Sequence, residues 1–314
     1  MSNIDIDYVI PVFKSISPVI LLLWIRDFDL LRLSRFPVIL CCLIMDILFL
    51  CILIIPETES AIYLFASIDN DTILMSRRWF LGVEFFCMYL KSTVAMLFPL
   101  TYFTHVCVTK GKQTYGAWIA FIIIFFYFMF SGTRSTMLIP FFLLGLCLYI
   151  SYKNHPKAKW LFYPILFIGG IGFTTLLIAL ASDTQEASNL IKYGHISSYT
   201  SLFENTPAIL LTGQGPGAFF YSDGFNQYVL QTEWTYLELV RWFGIFSLFI
   251  IGVFFYPLKI MWEHRSTPLT HSLFWAYIAY LVIAGTNPLM LSSTGMIAML
   301  MAYSYSESIT KKQI

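Results

Sequence analysis

Along the chain, long apolar runs alternate with short polar stretches, and most of the runs have the length of a membrane span. Crossing the hydrocarbon as a helix takes about 20 predominantly apolar residues. Runs near that length lie at about 8–25, 37–55, 79–104, 116–131, 134–151, 160–181, 235–257, 270–285 and 287–305. The pattern predicts an all-α fold, a polytopic membrane helix bundle with about nine transmembrane helices. Pro11, Lys14 and Pro18 interrupt the first run, which reads either as a span or as a half-buried, tilted segment. The longest stretch between spans, residues 182–235, predicts a large outer loop with room for structure of its own. It belongs to a single integral membrane domain, residues 1–314.

The polar breaks set an orientation. Arg26, Arg32 and Arg35, then Lys110 and Lys112, then Lys153, Lys157 and Lys159, then Lys259 and Arg265, then Lys311 and Lys312 fall on alternate sides of the spans. By the positive-inside rule those segments are cytoplasmic. The acidic N-terminus, residues 56–78, the turn "SGTR", the loop 182–235 and the turn "GTNP" then face outward, toward the periplasm of a Gram-negative cell. The expected location is the inner membrane, with the active face periplasmic.

Composition agrees: 58% of residues are hydrophobic and 12% charged, against roughly half and a quarter in soluble domains. The net charge of +1, with no basic block, gives no footprint for nucleic acid. Cys41, Cys42, Cys51, Cys87, Cys107 and Cys147 all lie in apolar runs, where cysteine behaves as a small hydrophobe, so no disulfide or metal framework is expected. Asp5 and Asp7 stand where a secretory signal would be basic. No internal repeat of the kind that marks many transporters is evident.

The candidate chemistry begins with arginines on the outer side. Arg77 and Arg78 precede the third predicted span, Arg134 begins the fifth, and Arg241 lies about two turns into the seventh. The outer face is normally depleted of cations, and a helix N-terminus repels them, so an anion is expected there. Helix N-termini and arginine forks both suit phosphate oxygens, which points to a diphosphate at the membrane boundary. Alternatively, Thr235 and Glu238 have the spacing of a capping box, with Glu238 one turn from Arg241. Asp46 and Lys91 fall near mid-span at similar depth, and a structural ion pair is expected, with a proton or ion pathway as the alternative.

Four segments, "SGTRSTML" (131–138), "LLTGQGPGAFF" (210–220), "TEWTYLELVRWFGIFS" (232–247) and "GTNPLMLSSTGM" (285–296), together resemble the Wzy-type O-antigen polymerases, with a more distant likeness to O-antigen ligases. The likeness covers roughly residues 116 to 305. It extends to an arginine followed by a glycine after ten residues, here Arg134 to Gly145 and Arg241 to Gly252.

The resemblance implies a GT-C-like glycosyltransferase architecture. Its activity would be transfer of a growing glycan from undecaprenyl diphosphate to another lipid-linked repeat unit. The implied partners are lipid-linked donor and acceptor, membrane lipids and a chain-length regulator; no cofactor and no metal is implied. Consistently, the outer loop has no Asp-x-Asp pair, and "GQGPG" lacks the ending of a phosphate-binding loop.

On this reading Arg134 and Arg241 stabilise the leaving diphosphate, and Glu233 or His195 is the candidate base for the acceptor hydroxyl. Arg77, Arg78, Lys192, Glu238, Asn287, Gly215, Gly217, Tyr221 and Trp234 are candidate substrate contacts. Lys192 is the one Lys or Arg in the outer loop, and an ordinary exposed lysine is its alternative. The loop aromatics, Tyr193, Tyr199, Phe219, Phe220, Tyr221, Phe225 and Tyr228 with Trp234, suit a glycan groove or an interfacial belt. Gly213, Gly215 and Gly217 with Pro216 predict a tight turn. A ligase is the nearest alternative; a flippase is another, and it would line a path through the whole membrane with charge.

Overall fold

The computed structural model describes residues 6–25, 28–68, 73–80, 83–110, 114–131, 134–152 and 187–311. The fold is predominantly helical. Among the described residues four helices are long and apolar enough to cross a membrane, Leu30–Ile54, Lys91–Thr109, Thr235–Glu263 and Pro268–Gly285. Shorter apolar helices occupy Val12–Leu23, Tyr115–Phe130 and Thr136–Tyr152. The expectation of nine spans is met only in part, and the run at 160–181 lies outside the described residues. α2 (Leu30–Ile54) leaves Leu33, Phe36, Leu40, Ile47, Leu50 and Ile54 exposed. So broad an apolar face is compatible with a lipid surround and is a liability in water.

Two corrections concern secondary structure. The fold is not all-α. The predicted span at 79–104 begins within a hairpin, β1 (Ile73–Phe80) and β2 (Val83–Leu90), in antiparallel register from Ile73↔Leu90 to Phe80↔Val83. Helix resumes only at Lys91–Met96, a 3-10 segment, and α4 (Leu97–Lys110). A hydropathy window does not distinguish strand from helix in a short apolar run. The β-branched and aromatic content of 79–90, with Leu81-Gly82 between the strands, favours the hairpin. The last span starts later than predicted: residues 286–292 form turns, and the terminal helix is Ser293–Lys311.

By packing, the chain divides into two compact units. One contains residues 18–151, 257–283 and 294–314. In it α2 and α4 pack on α5 (Tyr115–Phe130), with Phe49 stacked on Phe130 at 4.1 Å. α3 (Thr58–Ile68) meets β1, and Arg77 forms a two-pronged pair with Glu59, Nε to Oε1 at 3.2 Å and Nη2 to Oε2 at 2.6 Å. α6 (Arg134–Tyr152) also belongs here.

The other unit contains residues 1–17, 152–256 and 284–293. Its described part shows that the long loop, from Ala187 on, is a folded layer. α7 (Ala187–Asn205) and the short α8 (Ile209–Thr212) lead to a second hairpin, β3 (Phe220–Ser222) and β4 (Gln227–Val229). α9 (Thr235–Phe243) follows, then a 3-10 turn at Gly244–Phe246 and α10 (Ser247–Glu263), of which residues 247–256 belong to this unit. Tyr199, Phe220 and Val229 form the centre of the layer, packed by Leu202, Phe203, Trp234 and Leu237.

Candidate functional site

The site is built on a break between α9 and α10. Gly244 sits at φ +54°, which a side chain rarely adopts, and it ends α9 early. The break frees two carbonyls of the last turn of α9, and the glycine-rich segment satisfies both. Gln214 N–H donates to Arg241 O at 2.7 Å and Gly215 N–H to Trp242 O at 3.0 Å. The two backbones touch: a Cβ at Gly213 would lie 2.3 Å from Trp242 O, and one at Gly244 would lie 2.5 Å from Leu211 O. Gly213, Gly215 and Gly217 all have positive φ, so the predicted turn is present and its role is to dock the loop on a helix end.

Arg241 lies at the centre of that junction with no exposed surface. Nε donates to Glu238 Oε2 at 2.9 Å, and Nη2 reaches the same oxygen at 2.7 Å. Nη1 donates to Ala218 O at 2.8 Å and Gln214 Oε1 at 3.2 Å, and Nη2 to Leu230 O at 2.6 Å. Four of the guanidinium's five donors are hydrogen-bonded and Nη2 also ion-pairs with Glu238, and Phe220 covers its face at 4.4 Å. In this structure the cation joins α9, the glycine loop and the hairpin.

Glu238, equally buried, accepts Thr232 N–H on Oε1 at 2.7 Å. The capping box does not form. Thr235 Oγ1 donates to Asn287 O at 2.7 Å, and Glu238 reaches back to Thr232, ahead of the helix. Thr232 Oγ1 also bonds Tyr199 OH at 2.7 Å. Burial, then the adjacent Glu238 carboxylate, pushes the Tyr199 phenol far above its ordinary range.

A second cluster is partly open. Lys192 Nζ and Glu233 Oε2 are 3.6 Å apart, with side chains 28% and 33% exposed. Oε2 itself is buried without a hydrogen-bond partner. Trp234 Nε1 donates to Lys192 O at 3.2 Å, fixing the start of α9 on α7. One turn along α7, His195 is fully buried, with Nδ1 2.8 Å from Ser222 Oγ and Nε2 without a partner. Burial holds its imidazole below the usual range, Glu233 pulls the other way, and Lys192 adds to the lowering. Two glycines make the approach possible. A Cβ at Gly194 would meet Gly224 N at 2.5 Å, and one at Gly224 would meet Ile191 O at 2.2 Å. A carboxylate with a free lone pair, an ammonium and a buried imidazole therefore lie together.

The structure thus brings Lys192, His195, Glu233 and Trp234 into one group and Arg241, Glu238, Gly215 and Gly217 into its support. Tyr221 lies on the hairpin surface, paired across the strands with Tyr228 at 5.5 Å, while Tyr199 and Phe220 are core. Asn287 meets α9 through its backbone oxygen. Arg77 is on a strand rather than before a helix, and its partner Glu59 supplies the anion expected beside it. The side chains of Arg78 and Arg134 lie outside the described residues. Gly252 has nothing within 4 Å of a Cβ, so packing gives the arginine–glycine spacing no steric reason.

Sequence reasoning missed Gln214, Ser222, Thr232 and the buried role of Tyr199. The glycines around Gln214 and the Thr-x-Trp start of α9 were the available signals. No family model matches the sequence, and comparisons with curated proteins and with solved structures return no match.

Proposed function

We propose that the chain is a membrane glycosyltransferase of the O-antigen polymerase kind, extending a lipid-linked glycan at the outer membrane–water boundary. The observation that carries this reading is the Lys192–Glu233 pair. It is half-open, one carboxylate oxygen has no donor, and it stands just before the first turn of the apolar helix Thr235–Glu263. The four-segment resemblance to the polymerases supplies the substrate class.

In the proposed reaction a sugar hydroxyl of the acceptor attacks the anomeric carbon of the donor glycan. The bond from that carbon to the diphosphate oxygen breaks, and undecaprenyl diphosphate leaves. Glu233 takes the hydroxyl proton on Oε2, which carries no hydrogen bond and faces Lys192 at 3.6 Å, once the acceptor hydroxyl comes within hydrogen-bond reach. Lys192 meets negative charge on the diphosphate. Arg241 is a positioning residue: its donors are engaged within the chain, and it holds the loop that shapes the site. Arg134 takes no part in this assignment.

The test is the lipopolysaccharide banding of a strain whose only copy carries Glu233→Gln, with membrane abundance measured alongside. General-base catalysis contributes about 100-fold or more, so the ladder is expected to collapse to core plus a single repeat at normal abundance. An intact ladder would remove Glu233 from the reaction. Loss of even the single repeat would redirect the reading to a ligase or a flippase.

A further inference from the structure

Asp46 lies well inside α2, 9% exposed, with Oδ1 buried and without a hydrogen-bond partner. The ion pair expected with Lys91 does not join them among the described residues. Cys42 stands one turn earlier on the same face of the helix. Tyr127 lies on α5, which packs on α2. From α3, α4 and β2, which also pack on α2, no charged side chain is joined to Asp46 among the described residues.

The nearby donors are already committed. Thr93 Oγ1 donates to Leu90 O at 2.6 Å, so the contact between Thr93 Oγ1 and Tyr127 OH uses the phenol's proton. The phenol oxygen accepts Leu90 N–H at 3.0 Å. Cys42 Sγ lies 3.5 Å from Met96 Sδ and directs its weak donor there. No proton from this group remains for the carboxylate.

A bare carboxylate in an apolar interior carries a large desolvation penalty, and an intramembrane carboxyl without a protein partner is more often functional than structural. We propose that Asp46 is the ligand of an exchangeable small cation within the membrane, a proton or Na+, which supplies the positive charge that the described residues do not. This site is independent of the glycan-transfer reading, since it lies in the other packing unit and uses none of the same residues.

Dicyclohexylcarbodiimide, which reacts with protonated carboxyls in apolar surroundings, tests it on the full-length protein in lipid vesicles, with peptide mapping by mass spectrometry. Asp46 is expected to be labelled at acidic pH, with labelling falling about tenfold per pH unit beyond its midpoint. Lower labelling in Na+ than in K+ at one pH identifies Na+ as the competing ligand; equal labelling identifies the proton. No label on Asp46 at any pH, or labelling independent of pH, overturns the proposal. Asp46→Asn mimics the neutral, loaded state and is expected to leave the melting temperature in detergent unchanged. A marked fall would make the negative charge structural and would also overturn it.

Discussion

Arg241 shows how far a single side chain's meaning depends on its partners. Charge alone suggests a cation waiting for a phosphate, whereas four hydrogen bonds and an ion pair at zero exposure describe a clamp. Lysine keeps the charge but offers three donors without the planar fork. Arg241→Lys is therefore expected to cost about 2–4 kcal/mol, lowering the melting temperature in detergent and the abundance in membranes. Unchanged melting and abundance would show that the buried contacts are dispensable. Glu233 differs because its contact with Lys192 is long and partly solvated, and such a pair contributes at most about 1 kcal/mol. The arginine and its pairing with Glu238, one turn away, were legible in the sequence; its contacts with Gln214, Ala218 and Leu230 were not, because they come from the glycine loop and the hairpin.

At the scale of elements, the junction of α9, α10 and the glycine loop depends on backbone that only glycine supplies. Gly244→Ala places a methyl 2.5 Å from Leu211 O at a φ of +54°. An expected loss of about 2–4 kcal/mol follows from the strain and the clash. Gly252→Ala, within α10 and with open space at its Cβ, is expected to be neutral or to stabilise by up to about 1 kcal/mol. Thermal unfolding of the two variants beside the parent measures the contrast, and similar losses in both would contradict the docking role of Gly244. The turn at Gly213–Gly217 was legible because glycine and proline constrain backbone locally. The β1–β2 hairpin was not, because its apolar residues add to a hydropathy window as helical ones do.

For the whole molecule, the apolar helices and the Lys/Arg bias make one prediction about sidedness. If Thr235–Glu263 crosses the bilayer, its two ends are on opposite sides. In a cysteine-free background, a maleimide that cannot cross the inner membrane is expected to label Asn205→Cys, at the exposed end of α7, in cells with a permeabilised outer membrane. Glu263→Cys is expected to react only after the inner membrane is disrupted. The reverse pattern would invert the orientation, and labelling of both would mean that the helix does not cross.

The sequence by itself determined the apolar helical character, the position of the large loop and the glycine turn within it. These follow from transfer energies summed over a window and from local backbone limits. The tertiary structure alone decided that residues 73–80 and 83–90 pair as strands, that Arg241 is engaged by the glycine loop and the hairpin, that Glu233 meets Lys192, and that Asp46 Oδ1 is left without a donor. Each of those is a pairing between groups that the fold brings together or keeps apart, and neither composition nor periodicity along one chain specifies which donor meets which acceptor.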